Sequence, residues 1–81
     1  RIQNQDLMER KELLTRRERE VMEYVVAGFS SREIAGTLNV SFKTVEAHRA
    51  KIMKKMQARS VPKLIQMDLQ IKDVPEYNRN Q

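Results

Sequence analysis

The sequence predicts an all-α fold, a small domain of four helices behind an N-terminal linker segment. Three observations predict it. Four segments open with helix-capping residues and continue with apolar residues at helical spacing. No convincing run alternates apolar and polar with a period of two, and no hairpin dipeptide joins two apolar runs. At 81 residues the chain holds one domain at most, and 40% hydrophobic residues suffice for a small helical core.

Residues 1–13 are polar and dense in charge, with Leu7, Met8, Leu13 and Leu14 as the sizeable apolar cluster. They read as an interdomain linker with partial helical character. The domain proper is expected over residues 14–71. Its first helix starts at the capping box Thr15-Arg16-Arg17-Glu18, runs through Val21, Met22, Val25 and Val26, and stops at Gly28. A second box, Ser30-Ser31-Arg32-Glu33, opens a short helix with Ile34, Ala35 and Leu38 on its apolar face. Phe29 and Ile34 flank that box as a hydrophobic staple, and Asn39 is a left-handed stop. Ser41 caps a third helix, with Val40 and Val45 as its staple and Val45, Ile52 and Met56 on one stripe. Ser60 opens a fourth, with Pro62 in the first turn, where its missing N–H costs little. Val61, Leu64, Ile65 and Met67 follow. Residues 72–81 read as a flexible tail, because the chain turns polar and Pro75 breaks any helix.

Charge is unevenly placed. The net charge is +5, yet residues 1–41 balance, and residues 42–63 carry seven Lys or Arg against the single acid Glu46. A basic block of this kind suits a polyanionic partner; the alternative is a solvated helix face with no partner. Cysteine is absent, which excludes disulfides and thiolate metal sites. No apolar run approaches the roughly 18 residues needed to span a membrane, and no signal peptide is visible. A chain that opens on Arg1 is expected to be a fragment of a longer protein.

Geometry favours the polyanion. Residues 31–50 hold two short helices joined by Leu38-Asn39-Val40-Ser41, a connection that forces a sharp angle. Ala35 is small enough to sit where two helix axes cross closely. That is the logic of a helix-turn-helix, whose second helix enters the DNA major groove. At about 100° per residue, the face opposite Val45, Ile52 and Met56 carries Lys43, Glu46, Ala47, Ala50 and Lys54. Ala47 and Ala50 keep the helix thin and can touch thymine methyls. Glu46 can accept from a cytosine amino group. Lys43, Thr44, Lys51 and Lys54 surround this face and can reach phosphates. The positive end of the helix lies near Ser41 and Phe42.

Residues 13–69 resemble the LuxR/FixJ-type helix-turn-helix, the output domain of NarL-class response regulators and quorum-sensing activators. The likeness is carried by Leu14-Thr15-Arg16-Arg17-Glu18-Arg19-Glu20-Val21, Gly28, Glu33-Ile34-Ala35, Leu38, Val40-Ser41, Lys43-Thr44-Val45-Glu46, His48-Arg49 and Ile52-Met53-Lys54-Lys55-Met56. Thr-Val-Glu-x-His-Arg is closest to the FixJ branch. The resemblance implies a four-helix LuxR-type domain with its third helix, about residues 42–56, in the major groove and its fourth in a dimer contact. It implies a bacterial, cytoplasmic, nucleoid-associated transcription activator, the effector of a two-component system, with RNA polymerase and a phosphorylatable receiver domain as partners. By alignment, Glu46, Ala47 and Ala50 fall on base-reading positions, and Lys43, Thr44, His48, Arg49 and Lys54 on backbone-contact or supporting ones. Ser41-Phe42 replaces a common Ser-Pro, Lys51 a usual Asn, and Ser31 a frequent Asn.

Structural readings stand beside the functional ones. His48 lies at the core edge and serves packing or a backbone contact; with no second ligand cluster a metal is not expected. Arg49 can pair with Glu18 or Glu20 instead of DNA. Met53 and Met56 read as core filler. Lys63, Met67 and Gln70 form an outer stripe of the fourth helix, either a dimer face or plain solvent exposure. Glu18 and Glu20 sit on different helix faces, so they are no catalytic pair. No Gly-rich phosphate loop or nucleophile–base pair is present, no cofactor is expected, and an enzyme has almost no support. The rival to a base-reading regulator is a sigma-like module that contacts RNA polymerase and binds DNA weakly and without selectivity.

Overall fold

The structure is a computed structural model and describes residues 3–72. Among the described residues five helices follow one another: α1 (Asn4–Glu12), α2 (Arg16–Val26), α3 (Ser31–Leu38), α4 (Phe42–Met56) and α5 (Val61–Lys72). Among the described residues there is no strand. The expected tail at 73–81 lies outside them, while Lys72 still belongs to α5.

Local chemistry starts and stops these helices where the caps stand. The Thr15 hydroxyl accepts from the Glu18 N–H at 3.1 Å, and the Glu18 carboxylate accepts from the Thr15 N–H at 2.9 Å. Ser30 and Glu33 repeat that reciprocal box on α3. Ser41 accepts from the Thr44 N–H at 3.0 Å, and Ser60 from the Lys63 N–H at 3.2 Å. Each satisfies a donor that a helix N-terminus leaves without an internal partner. Gly28 takes φ 98° beyond α2, and the N–H of Phe29 reaches back to the Tyr24 carbonyl at 3.0 Å. Asn39 closes α3 at φ 58°. Gln57 closes α4 at φ 57°, with the Ala58 N–H on the Met53 carbonyl at 2.9 Å. All three turn the chain through the left-handed region. The Phe29 ring stays partly exposed and rests edge-on against Tyr24, with centroids 5.1 Å apart.

One apolar cluster joins α2 to α5. Leu14, Val21, Met22, Val25, Ile34, Val45, Ile52, Met56 and Leu64 are buried in it. Ala35, Leu38, Val40 and Met53 pack against it, partly buried. Hence the stripe Val45, Ile52 and Met56 faces inward, and α3 lies against α4 as the short connection requires.

The helix count exceeds the expected four. The added element is α1, from the segment expected to be a linker with partial helical character. A nine-residue helix is marginal alone, and this one is fastened to α4 and α5. Leu7 is fully buried. Arg10 donates to the Met56 carbonyl at the end of α4 at 3.1 Å. Lys11 pairs with buried Asp68 on α5 and with Glu23 on α2, each at 3.4 Å. Arg19 returns to the Lys11 and Glu12 carbonyls that end α1. One apolar anchor and several charges hold the helix, a mixture that reads in sequence as solvated linker.

Candidate nucleic-acid interface

Burying Val45, Ile52 and Met56 turns the rest of α4 outward. Lys43, Thr44, Glu46, Ala47, Ala50, Lys51 and Lys54 are all exposed. The three expected base-reading positions and four of the expected phosphate contacts therefore share one accessible surface. His48 and Arg49 are half-buried at its edges. The Thr44 hydroxyl shares a hydrogen bond with Ser41 at 2.8 Å, so it is tied to the helix start.

Glu46 is the acid at the centre of the basic block, and two side chains hold it. The buried Ser31 hydroxyl donates to Glu46 Oε2. Arg49 Nε lies 4.0 Å from the same oxygen, one helical turn on. Arg49 thus pairs with neither Glu18 nor Glu20. Glu20 pairs with Arg17 at 3.1 Å. Glu18 is taken by Lys55, whose ammonium donates at 2.7 Å. The arginine on α4 lies too far round toward Glu46, while Lys55 occupies the edge that faces α2.

Glu18 is buried, and burial is the largest influence on its carboxyl, an upward one. The Lys55 ammonium and the Thr15 N–H together outweigh it and hold the carboxyl below the ordinary glutamate range. Lys55 is thereby engaged by a buried partner. Lys43, Lys51 and Lys54 lie exposed at the surface. On the far side, Glu23 is likewise lowered, chiefly by its hydrogen bond from Lys72, and Lys72 is raised, chiefly by Glu23 and then Asp68.

Two features escape a reading of the sequence alone. One is Ser31 against Glu46, set by how α3 crosses α4. The other is Arg32, whose guanidinium lies 5.1 Å over the ring of Phe42 at the start of α4. That places a further cation beside the positive end of the helix.

The expected outer stripe of α5 needs correction. Lys63 is exposed and Gln70 half-buried, but Met67 is buried at 4% exposure, beside Leu64 and Asp68 on the inward side. The apolar residues that α5 turns outward are Ile65, partly, and Leu69, at 61% exposure. Among the described residues no helix is long and apolar enough to cross a membrane.

Comparison with known proteins matches this architecture. The model of the luxR family of bacterial regulatory proteins covers residues 12–68. The transcriptional regulatory protein FixJ of Rhizobium meliloti (strain 1021) is 47% identical over 64 residues, which is 79% of this chain and 31% of that protein. The tetrathionate response regulatory protein TtrR of Salmonella typhimurium is 52% identical over 52 residues, 64% of this chain and 25% of that protein. The oxygen regulatory protein NreC of Staphylococcus carnosus is 42% identical over 60 residues, 74% of this chain and 28% of that protein. The crystal structure of full-length FixJ from B. japonicum superposes with a TM-score of 0.78 at 38% identity, covering 89% of this chain and 36% of that one. The chain therefore spans about a third or less of the length of these curated relatives. Its capped helices, its packed α3–α4 pair joined by a short connection and the family match over residues 12–68 agree: the chain belongs to the luxR family of bacterial regulatory proteins.

Proposed function

We propose that this chain is a sequence-specific double-stranded DNA-binding module of a transcription regulator, an activator, with α4 in the major groove. The outward side of α4 carries the reading. It sets one acceptor and two small side chains in the middle, with lysines around them. Glu46 accepts from a cytosine amino group, and Ala47 and Ala50 touch base edges. Lys43, Thr44, Lys51 and Lys54 grip phosphates, with His48 and Arg49 at the margin. The relatives are transcriptional and response regulatory proteins, so we assign the module to the output end of a two-component response regulator in the bacterial cytoplasm. A receiver domain passes the signal along residues 1–13, RNA polymerase is the partner downstream, and two copies bind adjacent half-sites about one helical turn apart. For the contact between copies, the outward Ile65 and Leu69 of α5 replace Met67, with Lys63 and Gln70 at its border.

Selection from a random pool of duplexes at two salt concentrations tests this reading. The expected result is a short enriched motif with a C·G pair where Glu46 reads, and Glu46→Ala relaxing that position alone. Salt-sensitive binding with no enriched motif would overturn it in favour of a polymerase-contacting module.

A further inference from the structure

Glu46 is placed at the readout position, yet a glutamate on an exposed helix face is a poor reader by itself. Its three side-chain torsions sample many positions, and fixing them on binding is costly in entropy. A carboxylate that swings freely can also find water or another donor when the wrong base is present. Discrimination falls when the unpaired state is cheap.

Ser31 supplies what α4 lacks. It is the first residue of α3 and is 9% exposed. The helix cap is already served by Ser30, which leaves the Ser31 hydroxyl available to another element. That hydroxyl donates to Glu46 Oε2, and Arg49 Nε approaches the same atom. Both contacts use one carboxylate oxygen and come from the protein side. The packing of α3 on α4 supports the geometry, since Ile34 and Val45 are buried in one cluster and Ala35 packs against it.

We infer that Ser31 is a specificity-determining positioning residue: it holds Glu46 by Oε2 so that Oε1 is presented to one base. The inference rests on the proposed base-reading role of Glu46. Ser31 touches no base itself. Its effect is on the ratio between right and wrong sequences, while affinity from phosphate contacts is set elsewhere on α4.

The test uses the 81-residue chain with Ser31→Ala, Ser31→Thr, Glu46→Ala and the double variant. A good pair of base contacts discriminates by roughly 5- to 150-fold against the wrong base. Ser31→Ala is expected to reduce discrimination at the Glu46-facing position by about 3- to 10-fold, a part of that range. Affinity for unrelated duplex should stay within about twofold, because phosphate contacts are kept. Ser31→Thr, which keeps the hydroxyl, restores the ratio. The double variant should be no less selective than Glu46→Ala, because Ser31 acts through Glu46. Side-chain scalar couplings of Glu46 in the free protein give an independent readout, fixed in the native chain and averaged in Ser31→Ala. If Glu46→Ala relaxes selectivity but Ser31→Ala leaves both selectivity and couplings unchanged, the positioning role is wrong. If Glu46→Ala itself leaves the base preference intact, the base-reading assignment fails first.

Discussion

Replacing Lys55 by Met isolates the contact between Lys55 and Glu18 while keeping most of the side-chain stem. In the native chain the Glu18 carboxylate is about 3% exposed and receives Lys55 at 2.7 Å. Without the ammonium it faces two poor choices, to stay charged and buried or to take up a proton. The second choice sets a ceiling on the penalty carried by the variant's own folded state. Moving a group with a reference pKa of about 4.3 to neutrality at pH 7 costs about 1.36 kcal/mol per unit, or roughly 3.7 kcal/mol. The floor is the value of an exposed ion pair, about 1 kcal/mol or less. Lys55 is 31% exposed, so water screens part of the interaction. The expected loss lies between the limits, at about 2 kcal/mol. Urea unfolding followed by circular dichroism at neutral pH measures it. The pH dependence identifies its origin. The Glu18 carboxyl is lowered in the folded state, so its contribution is present above its unfolded value near 4.3 and fades as pH falls through the folded value. The gap between native chain and variant should therefore close on acidification. A gap that is equally wide in acid would mean that packing of the lysine stem holds α4 to α2, and the charge argument would be refuted.

Truncating Leu7 to Ala should cost about 2–4 kcal/mol, because its side chain is fully buried and leaves a cavity; a loss under about 0.5 kcal/mol in the same urea assay would mean α1 is not part of the cooperative fold. Gln57→Gly should stabilise by about 0.5–1 kcal/mol, since Gln57 holds φ 57° at a helix end where glycine carries no Cβ penalty; an unchanged thermal midpoint would count against strain there. Lys43, Lys51 and Lys54, changed singly to Ala, should each lower the steepness of the log affinity against log salt plot by about 0.9. Lys55→Met should leave that slope alone, because Lys55 is engaged by Glu18.

The parts of the fold that were legible are those set within four residues along the chain. A cap needs a hydroxyl and a donor three positions on, and Thr15, Ser30, Ser41 and Ser60 all serve as read. The left-handed stops at Gly28 and Asn39 depend on one residue each. Gln57 takes the same conformation without any such signal; packing of Met56 and the turn to Ala58 impose it. Charge pairing was not legible. Glu18 meets Lys55 thirty-seven positions away and Lys11 meets Asp68 fifty-seven away, and no local rule selects those partners over nearer ones. For the same reason the α1 segment reads in sequence as a linker with only partial helical character. Its one core residue, Leu7, is unremarkable beside Met8 and Leu13, which stay exposed.

Helices α4 and α5 show why one outward face could be read and the other could not. On α4 the apolar residues Val45, Ile52 and Met56 fall within about 40° of one another, and the opposite side holds charge and alanine. One assignment of the inward stripe settles both faces at once. On α5 apolar residues occupy most of the circumference: Leu64, Met67 and Ile71 span one arc, Val61, Ile65 and Leu69 the next. Spacing alone ranks neither arc as the core, and Met67 lies between the Leu64–Ile71 arc and the polar side of Lys63 and Gln70. Docking of α1 and α2 decides it, since Lys11 reaches Asp68 only when Leu64, Met67 and Asp68 face inward. The helix that carries the proposed contact between copies is thus oriented jointly by α2 and by the segment that reads as linker. A change in how α1 sits would remove one of the two contacts that hold this side of α5 inward, without any change in α5's own sequence.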